Sequence, residues 1–154
     1  MILRSDSPKK TLQIGKKIAE NIKKNDIILL FGGLGSGKTV LTQGIAMGLG
    51  VNRRLVISPS FVILRKYTGR QLSLNHFDLY RLQKIGDILA LGYQEYFYEE
   101  AATVVEWAER IQGVLPKEYL KIEFFIKGDT RRDLKLTAFG RRYRDLLSRM
   151  HKSH

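Results

Sequence analysis

Apolar positions along the chain follow several distinct rhythms. Leu12, Gly15, Ile18, Ala19 and Ile22 recur at three- and four-residue intervals, which predicts a helix capped by Thr11 and running to about Lys24. Residues 27–31 are apolar without alternation, the pattern of a strand at the centre of a parallel sheet covered on both faces. A second helix starts at Lys38, turns Leu41, Ile45 and Leu49 inward, and stops at Gly50, which suits the left-handed position after a helix. Segments 61–67 and 71–77 flank Thr68-Gly69-Arg70 and read as a hairpin. Ile85, Ile88, Leu89, Tyr96 and Phe97 predict two short helices parted around Leu91-Gly92-Tyr93, followed by a short strand over 101–105 and a short helix ended by the turn 113–116. Leu120, Ile122, Phe124 and Ile126 alternate with polar residues as in a half-buried strand, and Gly128-Asp129 turns it into a partner through Leu134 and Leu136. Phe139, Tyr143, Leu146, Leu147 and Met150 then return to helical spacing, with Arg141, Arg142, Arg144, Arg149 and Lys152 on the other faces. Strands interleaved with helices predict an α/β three-layer sandwich with a mixed, largely parallel central sheet plus antiparallel hairpins.

Composition adds bounds. At 154 residues the chain is the size of one domain, divided here into a body over 1–139 and a basic helical tail over 140–154. With 27 Lys and Arg against 15 Asp and Glu, the formal net charge of +12 favours a polyanion or an acidic partner surface, although the basic residues are spread out rather than gathered in one run. Cysteine is absent, which excludes disulfides and thiolate chemistry and suits a reducing cytoplasm. The first ten residues lack the apolar core of a signal peptide, and no apolar run approaches a membrane span, so a cytoplasmic protein with no membrane association is expected.

The chemistry starts at the central strand. Gly32-Gly33-Leu34-Gly35-Ser36-Gly37-Lys38-Thr39 satisfies G-x-x-x-x-G-K-[ST] between a strand-like and a helix-like segment, the arrangement of a phosphate-binding loop. Its glycines let successive backbone N–H groups converge on a phosphate while the following helix presents its positive end. In such loops the lysine, here Lys38, reaches the β- and γ-phosphates, and the hydroxyl of Thr39 can ligate Mg²⁺. The sandwich is therefore read as P-loop NTPase-like. Ser58, Pro59, Ser60 and Phe61 follow the helix that carries Thr39, where switch segments of such proteins approach the γ-phosphate. His76, Asp78 and Arg81 cluster at a strand end: Asp78 can orient water, join the metal's shell or simply cap a helix, and His76 can bond a loop or phosphate. Glu106 ends an apolar strand, as a carboxylate serving Mg²⁺ does, and Trp107 is either a core aromatic or a wall of the nucleotide pocket.

Taken in order, the phosphate loop, Ser-Pro-Ser-Phe at 58–61, His-Phe-Asp-Leu-Tyr-Arg at 76–81, Leu-Gly-x-x-Glu ending at Glu95, and Glu106-Trp107 resemble the TsaE (YjeE) family over roughly 11–136. The resemblance implies a P-loop ATPase using ATP and Mg²⁺ that acts with TsaD and TsaB in tRNA threonylcarbamoyladenosine biosynthesis, touching tRNA only through that complex and not DNA. It further implies that Gly33, Gly35, Ser36, Gly37, Lys38, Thr39 and Val40 hold the nucleotide phosphates, with Thr39 and Glu106 at the metal. Asp78 matches the family's aspartate near the γ-phosphate, Trp107 its tryptophan beside the nucleotide, and Thr11 and Arg131 lie in segments that border the base. The chain departs from the family pattern at Ser60 (usually Thr), Ser36 (frequently Ala), Val40 (often Thr or Ser) and Ala108 (often Pro). Val40 removes a hydroxyl contact to the α-phosphate. The expected activity is ATP hydrolysis, catalysed by Lys38, Asp78 and Glu106, slow alone and stimulated by partners. A small-molecule or nucleotide kinase and a basic RNA-binding module are the rival classes. The tail is expected either to dock on the body or to contact RNA or a partner.

Overall fold

The computed structural model describes residues 1–56, 63–97 and 99–153. A seven-stranded sheet runs in the order β1-β7-β6-β2-β5-β4-β3, formed by β1 (Ile2–Ser5), β2 (Ile27–Phe31), β3 (Leu64–Tyr67), β4 (Ser73–Asp78), β5 (Ala101–Glu106), β6 (Tyr119–Ile126) and β7 (Arg132–Phe139). The central strand β2 lies parallel to both β5 and β6, and β5 is parallel to β4, whereas β3 and β7 run against their neighbours. The predicted mixed, largely parallel sheet with antiparallel additions is thus what forms, and the fold is α/β of the P-loop NTPase-like kind.

All five residues of β2 are buried, and alternate side chains enter different clusters. Ile28 and Leu30 pack with helices α1 (Pro8–Ala19), α2 (Lys38–Gly48) and α5 (Arg141–Lys152), while Ile27, Leu29 and Phe31 pack with α3 (Ile85–Ala90) and α4 (Tyr93–Tyr96) on the other face. A strand covered on both sides needs apolar residues at every position, which is why 27–31 shows no alternation. Burying each such side chain contributes about 1.5–3 kcal/mol relative to exposure.

Two expectations are corrected. Helix α1 is capped by Ser7, whose hydroxyl accepts from the Lys10 N–H, with Pro8 in the first turn, and it ends at Ala19 rather than near Lys24. Thr11 is therefore an interior residue of the first helical turns, not the cap; Ser7 followed by proline is the stronger start signal, because proline's missing N–H costs nothing there. The second correction is β1, an edge strand not foreseen from the sequence. It pairs antiparallel with β7, Leu3 opposite Leu134, so its partner lies at the far end of the chain.

Helix α5 docks on the body. Tyr143, Leu146 and Met150 are buried, the Tyr143 hydroxyl accepts from the Ile27 N–H at 2.8 Å, and Arg142 pairs with Asp26 at 2.6 Å. Among the described residues no helix is long and apolar enough to cross a membrane.

Candidate functional site

The C-terminal ends of three adjacent parallel strands converge. In the sheet register Leu30 stands beside Glu106, and Glu106 beside Asp78, so the loop after β2 and both carboxylates share one edge. The loop is shaped by glycine. Gly35 and Gly37 adopt φ of 72° and 106°, left-handed values that cost other residues energy, and Gly37 leads directly into α2. A Cβ built on Gly33 or Gly35 meets nothing within 4 Å, which leaves that stretch of backbone open to a ligand.

Lys38 is buried and folds back beneath this loop. Its ammonium donates to the carbonyls of Gly32 at 2.6 Å and Gly33 at 2.8 Å and to the Ser36 hydroxyl at 3.1 Å, and it lies 4.1 Å from the centre of the Trp107 ring. Burial lowers its pKa from 10.5, opposed by the charges of Glu109, Glu106 and Asp78. Those three carboxylates keep a cation favourable in a poorly solvated place. Glu109, absent from the sequence-based list, also accepts from the Gly32 N–H at 2.9 Å and so ties the loop's base to the segment after β5. Its only sequence signal is a carboxylate three positions beyond Glu106.

The Thr39 hydroxyl donates to Glu106 Oε1 at 2.8 Å. The other oxygen of Glu106 meets His76 Nε2, both residues being almost wholly buried. A carboxylate accepts, so Nε2 donates to it, and Nδ1 lies 3.3 Å from the Tyr67 hydroxyl. A chain of contacts thus runs from Tyr67 on edge strand β3 through His76 and Glu106 to Thr39. Asp78 is buried at the end of β4 and its Oδ1 accepts from the Tyr80 N–H at 3.0 Å. Trp107 adopts φ 59°, a left-handed conformation that is a true outlier for an aromatic residue, and its ring packs 5.0 Å from that of Tyr80.

Thr11 sits under the loop: its hydroxyl bonds Ser5 Oγ at 2.7 Å, and its methyl lies 3.9 Å from a Cβ built on Gly37. Val40 is half-buried in the first turn of α2. Arg131 is exposed and lines a cleft of about 440 Å³ with Arg4, Lys10, Lys127 and Arg132, where Asp6 and Asp133 supply the opposite charge. The arginine that touches the loop is its neighbour Arg132, which donates to the Gly35 carbonyl at 3.1 Å. Ser58, Pro59, Ser60 and Phe61 lie outside the described residues.

This geometry has relatives. Residues 5–134 match the family model described as threonylcarbamoyl adenosine biosynthesis protein TsaE. The chain belongs to the TsaE family. It is 41% identical over 140 residues to the tRNA threonylcarbamoyladenosine biosynthesis protein TsaE of Bacillus subtilis, covering 91% of this chain and 87% of that one. The TsaE of Treponema pallidum is 34% identical over 130 residues, 84% and 95% of the two chains. The crystal structure of Bacillus subtilis YdiB superposes with a TM-score of 0.83 at 34% identity, over 99% of this chain and 95% of that one. The match thus extends through β1 and α5, beyond the span over which the motifs carry the TsaE resemblance.

Proposed function

We propose that this chain is the ATP-binding and hydrolysing component of the machinery that makes threonylcarbamoyladenosine in tRNA, acting with TsaB and TsaD to support threonylcarbamoyl transfer to the adenosine beside the anticodon. The observation that carries this reading is the Thr39–Glu106 hydrogen bond of 2.8 Å at the mouth of the glycine loop. A hydroxyl and a carboxylate form a hard-oxygen pair suited to Mg²⁺, which takes one or two protein ligands and keeps several waters. Thr39 and Glu106 would hold that ion, and its charge would offset the negative charge shared by the β- and γ-phosphates.

Gly33, Gly35, Ser36, Gly37 and Val40 surround the phosphates in this proposal, and Lys38 exchanges the carbonyls of its own loop for phosphate oxygens. Asp78 orients water or couples the γ-phosphate to segment 58–61. Trp107 flanks the nucleotide, and Thr11 and Arg131 border its base. Arg110 is turned toward the Tyr80 carbonyl, 3.3 Å away, and the Trp107 ring. On this reading hydrolysis by the chain alone is slow, and a cation supplied by a partner would raise it by ~10³–10⁵. Its role is to reset the partner complex between rounds of modification in the cytoplasm.

The test is ATP affinity and turnover of the chain alone, with both partners, and with tRNA added. Partner stimulation is expected, together with loss of ATP binding in Lys38→Ala. A Lys38→Ala protein that still binds ATP and supports tRNA modification would overturn the proposal, as would the absence of any partner effect.

A further inference from the structure

Glu106 is held from two sides, and only one of them faces the glycine loop. Its Oε1 accepts from the Thr39 hydroxyl at 2.8 Å, whereas its Oε2 accepts from His76 Nε2 within the sheet. His76 is wholly buried and Glu106 nearly so, which keeps solvent from competing for that second oxygen. The imidazole is itself held in place. In the antiparallel pairing of β3 with β4, Arg65 stands opposite His76, and Tyr67 two positions further on sets its ring 6.0 Å from the imidazole and its hydroxyl 3.3 Å from Nδ1. Both ring nitrogens are thereby engaged behind the carboxylate. His76 is not placed to bond a phosphate, the role its position near a strand end suggested, and the proposed hydrolysis makes no other use of it.

Such a contact limits what Glu106 can offer a cation. Ca²⁺ takes about six to eight oxygen ligands and accepts a carboxylate through one oxygen or both, whereas Mg²⁺ requires an octahedral shell in which one or two carboxylates add to phosphates and water. A carboxylate free to swing and present both oxygens would suit either ion. With Oε2 bonded to His76, Glu106 presents Oε1 alone, beside the Thr39 hydroxyl. We propose that His76 is a positioning residue that fixes Glu106 as a one-oxygen ligand and so makes the metal site selective for Mg²⁺ over Ca²⁺. This inference rests on the ATP and Mg²⁺ reading of the site and adds to it the residue that sets the metal preference. Groups that orient a metal ligand from behind typically change metal affinity by about 10–100-fold when they are lost.

The experiment measures, by isothermal titration calorimetry, the affinity of the full chain for a non-hydrolysable ATP analogue in saturating Mg²⁺, in saturating Ca²⁺ and in EDTA. The parent is compared with His76→Leu, which fills the space without a donor, and with His76→Gln, whose amide still donates; urea unfolding is followed on each protein without metal. The parent is expected to bind the Mg²⁺ complex about tenfold more tightly than the Ca²⁺ complex, His76→Leu to bring the two affinities within about twofold, and His76→Gln to restore most of the preference. A histidine with a structural role only would lower the unfolding midpoint in His76→Leu and leave the ratio of affinities where it was. That outcome would overturn the proposal. So would a parent that binds the two metal complexes equally, a measurement that stands even where His76→Leu does not fold. A parent that binds the analogue under none of the three conditions would instead overturn the ATP reading, and this inference with it.

Discussion

At the scale of single residues, the site is governed by how a few buried polar groups satisfy one another. Glu106 divides its oxygens between Thr39 and His76, so each neighbour fixes the carboxylate from a different side. Replacing His76 by Ala leaves one oxygen of a buried carboxylate without its donor. The expected cost is about 1–3 kcal/mol of stability, read by urea unfolding, and His76→Gln should recover part of it because its amide can still donate. Glu106→Gln keeps the shape but removes the charge. On the proposed function, ATP turnover should fall by about 10²–10³, the scale of losing one electrostatic contact in a reacting site, while circular dichroism stays unchanged. The sequence exposed Lys38, Thr39 and Glu106 through spacing and strand ends. Glu109 and Arg132 were hidden, because their roles rest on contacts across 77 and 97 positions of chain.

Elements decide how closely the site's supports approach. Helices α1 and α2 cross at Gly15 and Gly44: a Cβ on Gly44 would come 2.2 Å from the Leu12 carbonyl, and one on Gly15 would come 2.5 Å from that of Leu41. Both obstacles are backbone, so relief requires the helices to part. Gly44→Ala is expected to destabilise by about 1–3 kcal/mol or more, checked by chemical denaturation. The apolar rhythm of α1 marked Gly15, Ile18 and Ala19 on its inner face but missed Ile14 and placed its start at Thr11, since an internal threonine and a capping one look alike until Ser7 is seen accepting from Lys10.

The contact of α5 with β2 has a pH signature. Burial pushes the Tyr143 phenol from 10.0 up to about 12, so the folded chain holds this proton when the unfolded chain has begun to lose it. The resulting stabilisation is complete below pH 10 and is lost as pH rises toward about 12. Tyr143→Phe should shed that part of the alkaline destabilisation in pH-dependent unfolding, at the expense of the acceptor for the Ile27 N–H.

For the whole molecule, the question is whether residues 141–154 are an appendage or part of the core. Tyr143, Leu146 and Met150 are at most 3% exposed, and each buried side chain of this kind contributes about 1.5–3 kcal/mol. A domain's total stability is only about 5–15 kcal/mol. Deleting 141–154 is therefore expected to yield a largely unfolded or aggregating chain, visible as a lost unfolding transition; a truncated protein that unfolds cooperatively near the parent's midpoint would refute this.

The sequence by itself determined the order of strands and helices after β1, the apolar centre at 27–31, the phosphate loop and the residues at strand ends that belong beside it. These are local properties: spacing sets which side chains share a face, and glycine sets where the backbone can turn left-handed. Tertiary structure alone decided that β1 closes the sheet beside β7, that Lys38 lies under its own loop against Trp107, and that Tyr67 and His76 brace the carboxylate facing Thr39. Those outcomes depend on pairings between distant segments, where strand register and burial choose among partners that no local pattern distinguishes.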